Sequence, residues 1–238
     1  MISFVVPAHN EERLLGRTLA AIRAAARAVS EPYQLIVVDD SSSDGTAVIA
    51  KTGGAIVLQV RYRQISRTRN AGASAATGET LIFVDADTIV PEATLRATCE
   101  ACQAGAVGGG ALMRFDGRLP LWAVLLRPLV DGVMRAGRLA PGCYLFCARA
   151  AFEAVGGFDE RLYVLEEIAL SRALRRKGKI IILRETVLTS GRKLRLHSGW
   201  EILQLLAQWV LRGAPMLRSR ERLAMWYGPR RADPDDRA

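Results

Sequence analysis

The chain has 238 residues, 50 % hydrophobic and 24 % charged, enough apolar material for a substantial core and too much for a disordered chain. No run of about 18 uncharged apolar residues occurs, so no membrane-spanning helix is expected. The net charge of +9 is uneven: residues 1–170 carry 17 basic and 18 acidic side chains and 171–238 carry 16 and 6, a C-terminal excess that suits nucleic acid, an anionic membrane surface or a phosphate-bearing ligand.

Met1 leads straight into the strand-like "ISFVVP" with no basic leader, so no secretory signal is expected and a cytoplasmic protein is the starting point. "NEERLLGRTLAAIRAAARAV" then has apolar residues at helical spacing, with Asn10 as cap and Glu11 and Glu12 in an acidic first turn. "YQLIVVDD" reads as a second strand, and "SSSDGTAVIAKTG" as a turn opening a short helix that stops at Gly53. "AIVLQV" is a third strand, "ISRTRNAGASAATG" a helix and "TLIFVDAD" a fourth strand. Strands apolar on both faces alternating with helices predict a parallel sheet covered by helices. In such sheets ligands bind beyond the carboxyl ends of the strands, where "PAHNEE", "DDSSSDGT" and "DADT" fall.

Beyond Thr88 the rhythm loosens. "PEATLRATCEACQAG" is a helix with Pro91 near its first turn, and "AVGGGALMRF" is a strand. "LPLWAVLLRPLVDGVMRAG" is helical, with Arg127, Asp131 and Arg135 on one stripe and Pro128 expected to kink or break it. "GCYLFCARAAFEAVGGFDE" gives a strand and a short helix, "VLEEIALSRALRRKG" an amphipathic helix, and "KIIILRETVLTS" a strand. "GWEILQLLAQWVLRG" forms a final helix before a polar tail from about Pro229 that is expected to be disordered. The plan is a core of residues 1–198 in two halves, 1–90 and 91–198, then a helical extension over 199–228 and a tail over 229–238.

The spacing of Cys99 and Cys102, with Cys143 and Cys147 further on, invites a zinc site. A helix and a strand edge carrying small buried thiols in a reducing compartment is the simpler reading.

Asp85 and Asp87 close an apolar strand. Residues at i and i+2 share a face, and on a strand end both can reach one hard cation of the Mg²⁺ or Mn²⁺ type, held together with substrate phosphates. As plain structure, the same acids serve as caps for the helix that follows. The Asp39–Asp40 pair ends another strand at the same edge, where a carboxylate can accept from a nucleobase imide or a ribose hydroxyl. The segment from Ser41 to Thr46 also fits an ordinary turn with an Asx cap at Asp44. His9 reads as structural.

Taken together, "VVPAHNEE", "LIVVDDSSSDGT", "RTRNAGASAATGETLIFVDADT", "GGFDERLYVLEEIALSRALRRKG" and "TSGRKLRLHS" resemble the family 2 glycosyltransferases of the GT-A fold, in the family's order and spacing. The resemblance implies an α/β, Rossmann-like, mostly parallel sheet flanked by helices with a helical C-terminal extension, residues 1–90 forming the nucleotide-binding half and 91–198 the acceptor-binding half. It implies that Pro7, Ala8, Glu11 and Asp39 line the nucleoside pocket with Asp40 and Ser41 beside it, that Arg69 lies near the diphosphate, that Asp85 meets the ribose or sugar, and that Asp87 meets the metal. It also implies an acidic pair at a helix start that supplies the general base. Here that pair is Glu166–Glu167, with Glu167 the expected base, Glu166 its rival, and Ala169 standing where the family often has a further aspartate. His197 is the expected late metal ligand, and Arg192, Lys193 and Arg195 the expected diphosphate clamp.

The implied reaction is transfer of a sugar from a UDP- or GDP-linked donor to an acceptor hydroxyl, with inversion by single displacement and Mg²⁺ or Mn²⁺ as cofactor. A nucleotidyltransferase is the enzyme alternative, but "PAHNEERL" lacks the glycine-rich basic loop that such enzymes carry. A sugar-nucleotide-binding protein without turnover is the other alternative. No nucleic-acid module is found. The basic C-terminal region, with its apolar helix face, suits peripheral contact with the inner face of a membrane.

Overall fold

Strand β1 (Ile2–Ala8) is buried along its whole length, as its unbroken apolar run requires of a strand covered on both faces. It lies between β2 (Tyr33–Asp40) and β4 (Thr80–Val84), parallel to both, and β3 (Ile56–Val60) extends the parallel half beyond β2. The structure, a computed structural model, describes residues 1–196, 198–201 and 204. The expected C-terminal helix and tail lie largely outside these residues.

The eight strands run in the order β3-β2-β1-β4-β7-β6-β8-β5, where β5 is Thr88–Ile89, β6 Gly108–Phe115, β7 Tyr144–Ala148 and β8 Ile180–Thr189. Strand β7 enters antiparallel between β4 and β6, while β6 and β8 run parallel. Side chains alternate across the sheet as the two-residue period demands. Phe4, Val6, Val37, Ile82 and Val84 join α1 (Leu15–Ala28) and α4 (Glu92–Gln103) in one core layer. Val5, Ile36, Val38, Leu81 and Phe83 form the other layer, which Phe152 of α6 (Arg149–Ala154), Phe158 and Leu170 and Leu174 of α7 (Glu166–Arg175) complete.

Helix α3 (Ile65–Ala75) lies very close to the sheet at Gly72, where an added Cβ would run into Val5 and come within 2.9 Å of Val38. That approach sets the depth of Arg69, one turn earlier on the same helix. Two shorter helices, α2 (Thr46–Thr52) and α8 (Arg192–Leu196), and the longer α5 (Leu121–Gly137) complete the fold.

Two local expectations change. Helix α1 begins at Leu15, not after Asn10. Asn10 is left-handed at φ 52° and its Oδ1 accepts from the Ser43 N–H, the Glu11 N–H donates to Thr46 Oγ1, and the Gly45 N–H donates to Glu12. These bonds tie the first loop to the second and hold residues 10–12 out of the helix. Helix α5 runs unbroken through Pro128. The proline forfeits one intrahelical hydrogen bond but does not end the helix. Cys99 and Cys102 sit on α4, Cys143 and Cys147 are buried at β7, and all four are free thiols.

Candidate active site

The parallel strands deliver their carboxyl ends to one edge. Pro7 and Ala8 close β1, and Ala8 stands in register with Asp39 of β2. Asp39 and Asp40 are both buried but differently used. Asp40 accepts from the Tyr62 N–H at 2.8 Å, the Thr68 hydroxyl at 2.9 Å and the Gln64 N–H at 3.2 Å, which locks β2 to α3. Among the described residues Asp39 accepts from the Ser42 N–H alone, at 3.2 Å, which leaves it acceptor capacity. Ser41, left-handed at φ 62°, turns the chain away directly after them. His9 is structural: its Nδ1 meets the Asp40 carbonyl at 2.8 Å and its ring packs on Arg63.

Strand β4 stops at Val84, so Asp85 and Asp87 occupy the turn before β5. They engage different partners. Asp87 accepts from Arg192 at 3.1 Å and from the Thr189 hydroxyl at 3.2 Å, while the same Arg192 fork grips Glu11 at 2.5 and 3.0 Å. Burial pushes Asp87 up to about 6; Arg192 opposes the shift, while Asp85 and Glu11 add to it. Asp85 faces the other way and accepts from Arg69 Nη2 at 2.9 Å.

Arg69 is the hinge of the site. Its guanidinium is 3 % exposed, donates to Glu166 at 2.7 Å, to Asp85 and to the Gly142 carbonyl at 2.8 Å, and lies 5.3 Å from the centre of the Phe158 ring. Burial alone would favour neutral arginine, but Asp85, Glu166 and Glu167 hold its pKa above the usual value. Glu166 is thus committed to an ion pair. Glu167, half-buried beside it, is not held in that pair. Burial, and then the Glu166 charge, push Glu167 up to about 8 against the pull of Arg69. Leu165, left-handed at φ 61°, turns the chain into α7 and aims the pair. Gly142 leaves room for both: a Cβ there would stand 3.4 Å from Arg69 Nη2 and 3.6 Å from the Glu167 carboxyl carbon.

Of the two expected clamp arginines, Arg192 meets the acidic centre. Arg195 instead engages the Asp116 carbonyl at 2.7 Å and its carboxylate at 3.2 Å. His197 lies outside the described residues. Sequence reasoning passed over Thr189, Asp116 and Gly142. Thr189 closes β8 three residues before Arg192, and Asp116 follows directly on β6; a strand-end position was the only signal for either. Gly142 had none.

Glu11 and Asp87 offer only oxygen donors and share Arg192, while Asp85 beside them is held by Arg69. Such a set suits Mg²⁺ or Mn²⁺ with phosphate oxygens completing the shell. Among the described residues no cluster of three or more His, Cys, Asp or Glu side chains is arranged to hold a metal ion.

A parallel half with acidic loops at its strand ends, and a second half that returns a glutamate pair and an arginine to the same edge, is the plan of an α/β enzyme with its site at the carboxyl ends of the strands. The chain belongs to glycosyl transferase family 2, whose family model matches residues 3–153. The undecaprenyl-phosphate 4-deoxy-4-formamido-L-arabinose transferase of Aeromonas hydrophila is 30 % identical over 113 residues, covering 44 % of this chain and 34 % of that one. The 4,4'-diaponeurosporenoate glycosyltransferase of Staphylococcus haemolyticus is 38 % identical over 93 residues, covering 36 % and 24 %. The chain thus spans about a third or less of the length of these curated relatives. Among solved structures, the mannosyltransferase PcManGT of Pyrobaculum calidifontis, in complex with GDP-Man and Mn²⁺, superposes with a TM-score of 0.67 at 19 % identity over 95 % of this chain and 68 % of that one. S. aureus TarS 1-349 in complex with UDP-GlcNAc gives 0.61 at 21 % identity over 80 % and 58 %. These likenesses identify the GT-A fold.

Proposed function

We propose that the protein transfers a sugar from a nucleoside-diphosphate donor to an acceptor hydroxyl, with inversion at the anomeric carbon. The observation that carries this reading is the presence at one edge of a cation-ready acidic centre (Glu11 and Asp87, with Asp85 beside it on Arg69) and a half-buried glutamate whose pKa is raised to about 8. Asp39 would accept from the nucleobase or ribose, with Pro7, Ala8 and Ser41 around it. Asp87 would hold the cation, with Asp85 on the sugar side. A bound Mg²⁺ or Mn²⁺ supplies charge compensation for the departing diphosphate. Glu167 would take the proton as the acceptor oxygen attacks, while Arg69 keeps Glu166 from competing for that role. One relative named above is an undecaprenyl-phosphate 4-deoxy-4-formamido-L-arabinose transferase, which supports a lipid-linked acceptor and a membrane surface as the place of work.

The test is a panel of nucleotide-sugars screened for thermal stabilisation with and without Mn²⁺. One UDP- or GDP-linked donor raises the melting temperature in a metal-dependent way, because a ligand bound only to the native state adds about 2.7 kcal/mol at a hundredfold excess over its Kd. Asp87→Ala removes the metal-dependent part of the shift; a variant that keeps it excludes Asp87 as the cation's ligand. Asp39→Asn weakens the nucleoside diphosphate itself by about tenfold, the scale of one charge-assisted hydrogen bond. An unchanged Kd in titration calorimetry removes Asp39 from the pocket.

A further inference from the structure

Helix α5 is built inside out. Arg127, Asp131 and Arg135 form its polar stripe, and that stripe is the side turned to the body: Arg135 donates to the Leu183 carbonyl at 3.1 Å, Asp131 is paired with Arg127 and is only 26 % exposed, and Ala123 is the helix's single buried residue. The opposite stripe, at a spacing of four, is Leu121, Leu125, Leu129 and Val133, exposed at 72, 68, 65 and 54 %. Val124, Leu126 and Val130 widen it. A globular helix normally turns such a stripe to the core, and a contiguous apolar surface of this kind marks an interaction site.

We infer that α5 lies in the interface of an anionic lipid bilayer with its leucine stripe in the acyl boundary, which presents the acceptor side of the active site to the membrane. This rests on the lipid-linked acceptor reading above. Three observations choose lipid over protein. Residues 114–138 carry five arginines and two aspartates, so the rim complements anionic headgroups. A two-fold contact between copies would set the same positive rim against itself. The chain's own segment from Ile202 to its end carries seven basic and four acidic residues, again the same sign.

The second observation concerns tryptophan. The four tryptophans of the chain are Trp122, Trp200, Trp209 and Trp226, with none before α5. Trp122 on α5 packs beside Gly199, and the neighbouring Trp200 is 65 % exposed. Indole rings at the rim of an apolar face are the mark of a bilayer interface.

The third is connection to the site. Helix α5 is bracketed by Asp116, which Arg195 holds, and by Gly142, whose carbonyl takes Arg69 beside Glu167. The chain leaving α5 at Gly137 therefore runs directly into the loop that lies against Arg69 and Glu167. At 17 residues, about 25 Å long, the helix can lie along a bilayer but is too short to span it.

The experiment is co-sedimentation of the full chain with vesicles, using Leu125→Gln/Leu129→Gln as the variant. Glutamine preserves helix propensity and adds no charge, and both positions are exposed, so the melting temperature stays unchanged. The wild type partitions onto equal mixtures of phosphatidylcholine and phosphatidylglycerol, less onto phosphatidylcholine alone, and less as salt rises. The double variant partitions at least about tenfold more weakly, the scale for two leucines taken out of an apolar phase. Equal partition of the two proteins overturns the inference, as does a wild type that ignores vesicles. A wild-type dimer in light scattering that the variant dissolves, with no lipid binding, assigns the face to a second copy instead. None of these readouts needs the donor, so a failed transferase reading leaves them intact.

Discussion

Glu167→Gln lowers turnover by about 10²-fold or more, the usual scale for a general base, while donor affinity stays nearly unchanged. Glutamine keeps the size and hydrogen bonding of the side chain but cannot accept the proton, so the loss falls on the chemical step. Glu166→Gln does less to turnover, because Glu166 is occupied by Arg69. The groups facing Glu167 are Glu166 on its own helix, Arg69 on α3 and Asp85 after β4. With Glu167 raised to about 8, kcat/KM rises with pH through that value in the wild type, and the limb is absent in the glutamine variant.

Stability moves the opposite way. Between the ordinary carboxylate range and about 8 the native state holds a proton on Glu167 that the unfolded chain has released, so unfolding free energy falls as pH rises across that window. Glu167→Gln removes this loss, and above pH 8 the variant melts roughly 2–5 °C higher than the wild type. A variant that keeps its turnover overturns the base assignment and points to an acceptor oxygen that is already anionic. A dead Glu166→Gln beside an active Glu167→Gln moves the base by one residue.

Arg69→Ala destabilises the fold by about 3–5 kcal/mol, the cost of leaving the partner of a buried ion pair uncompensated. Glu166, at 6 % side-chain exposure, would lose the 2.7 Å contact that offsets its burial, and the Gly142 carbonyl would lose its donor. In a chain of this size that is a fall of about 10 °C or more in melting temperature. Arg69→Lys recovers only part, because one ammonium cannot span Asp85, Glu166 and Gly142 as a planar fork does. Adding Glu166→Leu to Arg69→Met restores much of the stability, since a buried pair replaced by apolar groups is often neutral. A single-variant loss below about 1 kcal/mol in denaturant titration shows that Arg69 does not hold the site together.

The parallel half was legible in the sequence because each of its strands is an apolar run closed by a polar loop, and "VVPAHNEE", "VVDD" and "FVDAD" mark three strand ends at one edge. The start of α1 was not legible. Asn10, Glu11 and Glu12 form a sound helix-start signal locally, and bonds from the loop some 33 residues away override it. The antiparallel entry of β7 was hidden for a similar reason: "YLFCA" shows a buried strand but not its direction. Helix α5 showed its two stripes plainly in sequence, yet periodicity does not say which stripe meets the body. The sequence placed Arg69 near the diphosphate, while the structure gives it Glu166, 97 positions away, a pairing that no local pattern encodes.

The grip of Arg192 on Glu11 closes a loop of 181 positions. Contacts so distant along the chain form late, because the entropy of closing the loop is lost before any gain is made. During synthesis β1 to β4 can pair as soon as they emerge and Asp85 can meet Arg69 of α3, but Glu11 and Asp87 then share an edge with no arginine from α8 between them. Their mutual repulsion persists until the last described helix docks. The acidic centre is therefore the final part of the domain to become electrically quiet, and a chain ended after Ala154, near the limit of the family match, would carry the strands of the donor half without the charge that settles it.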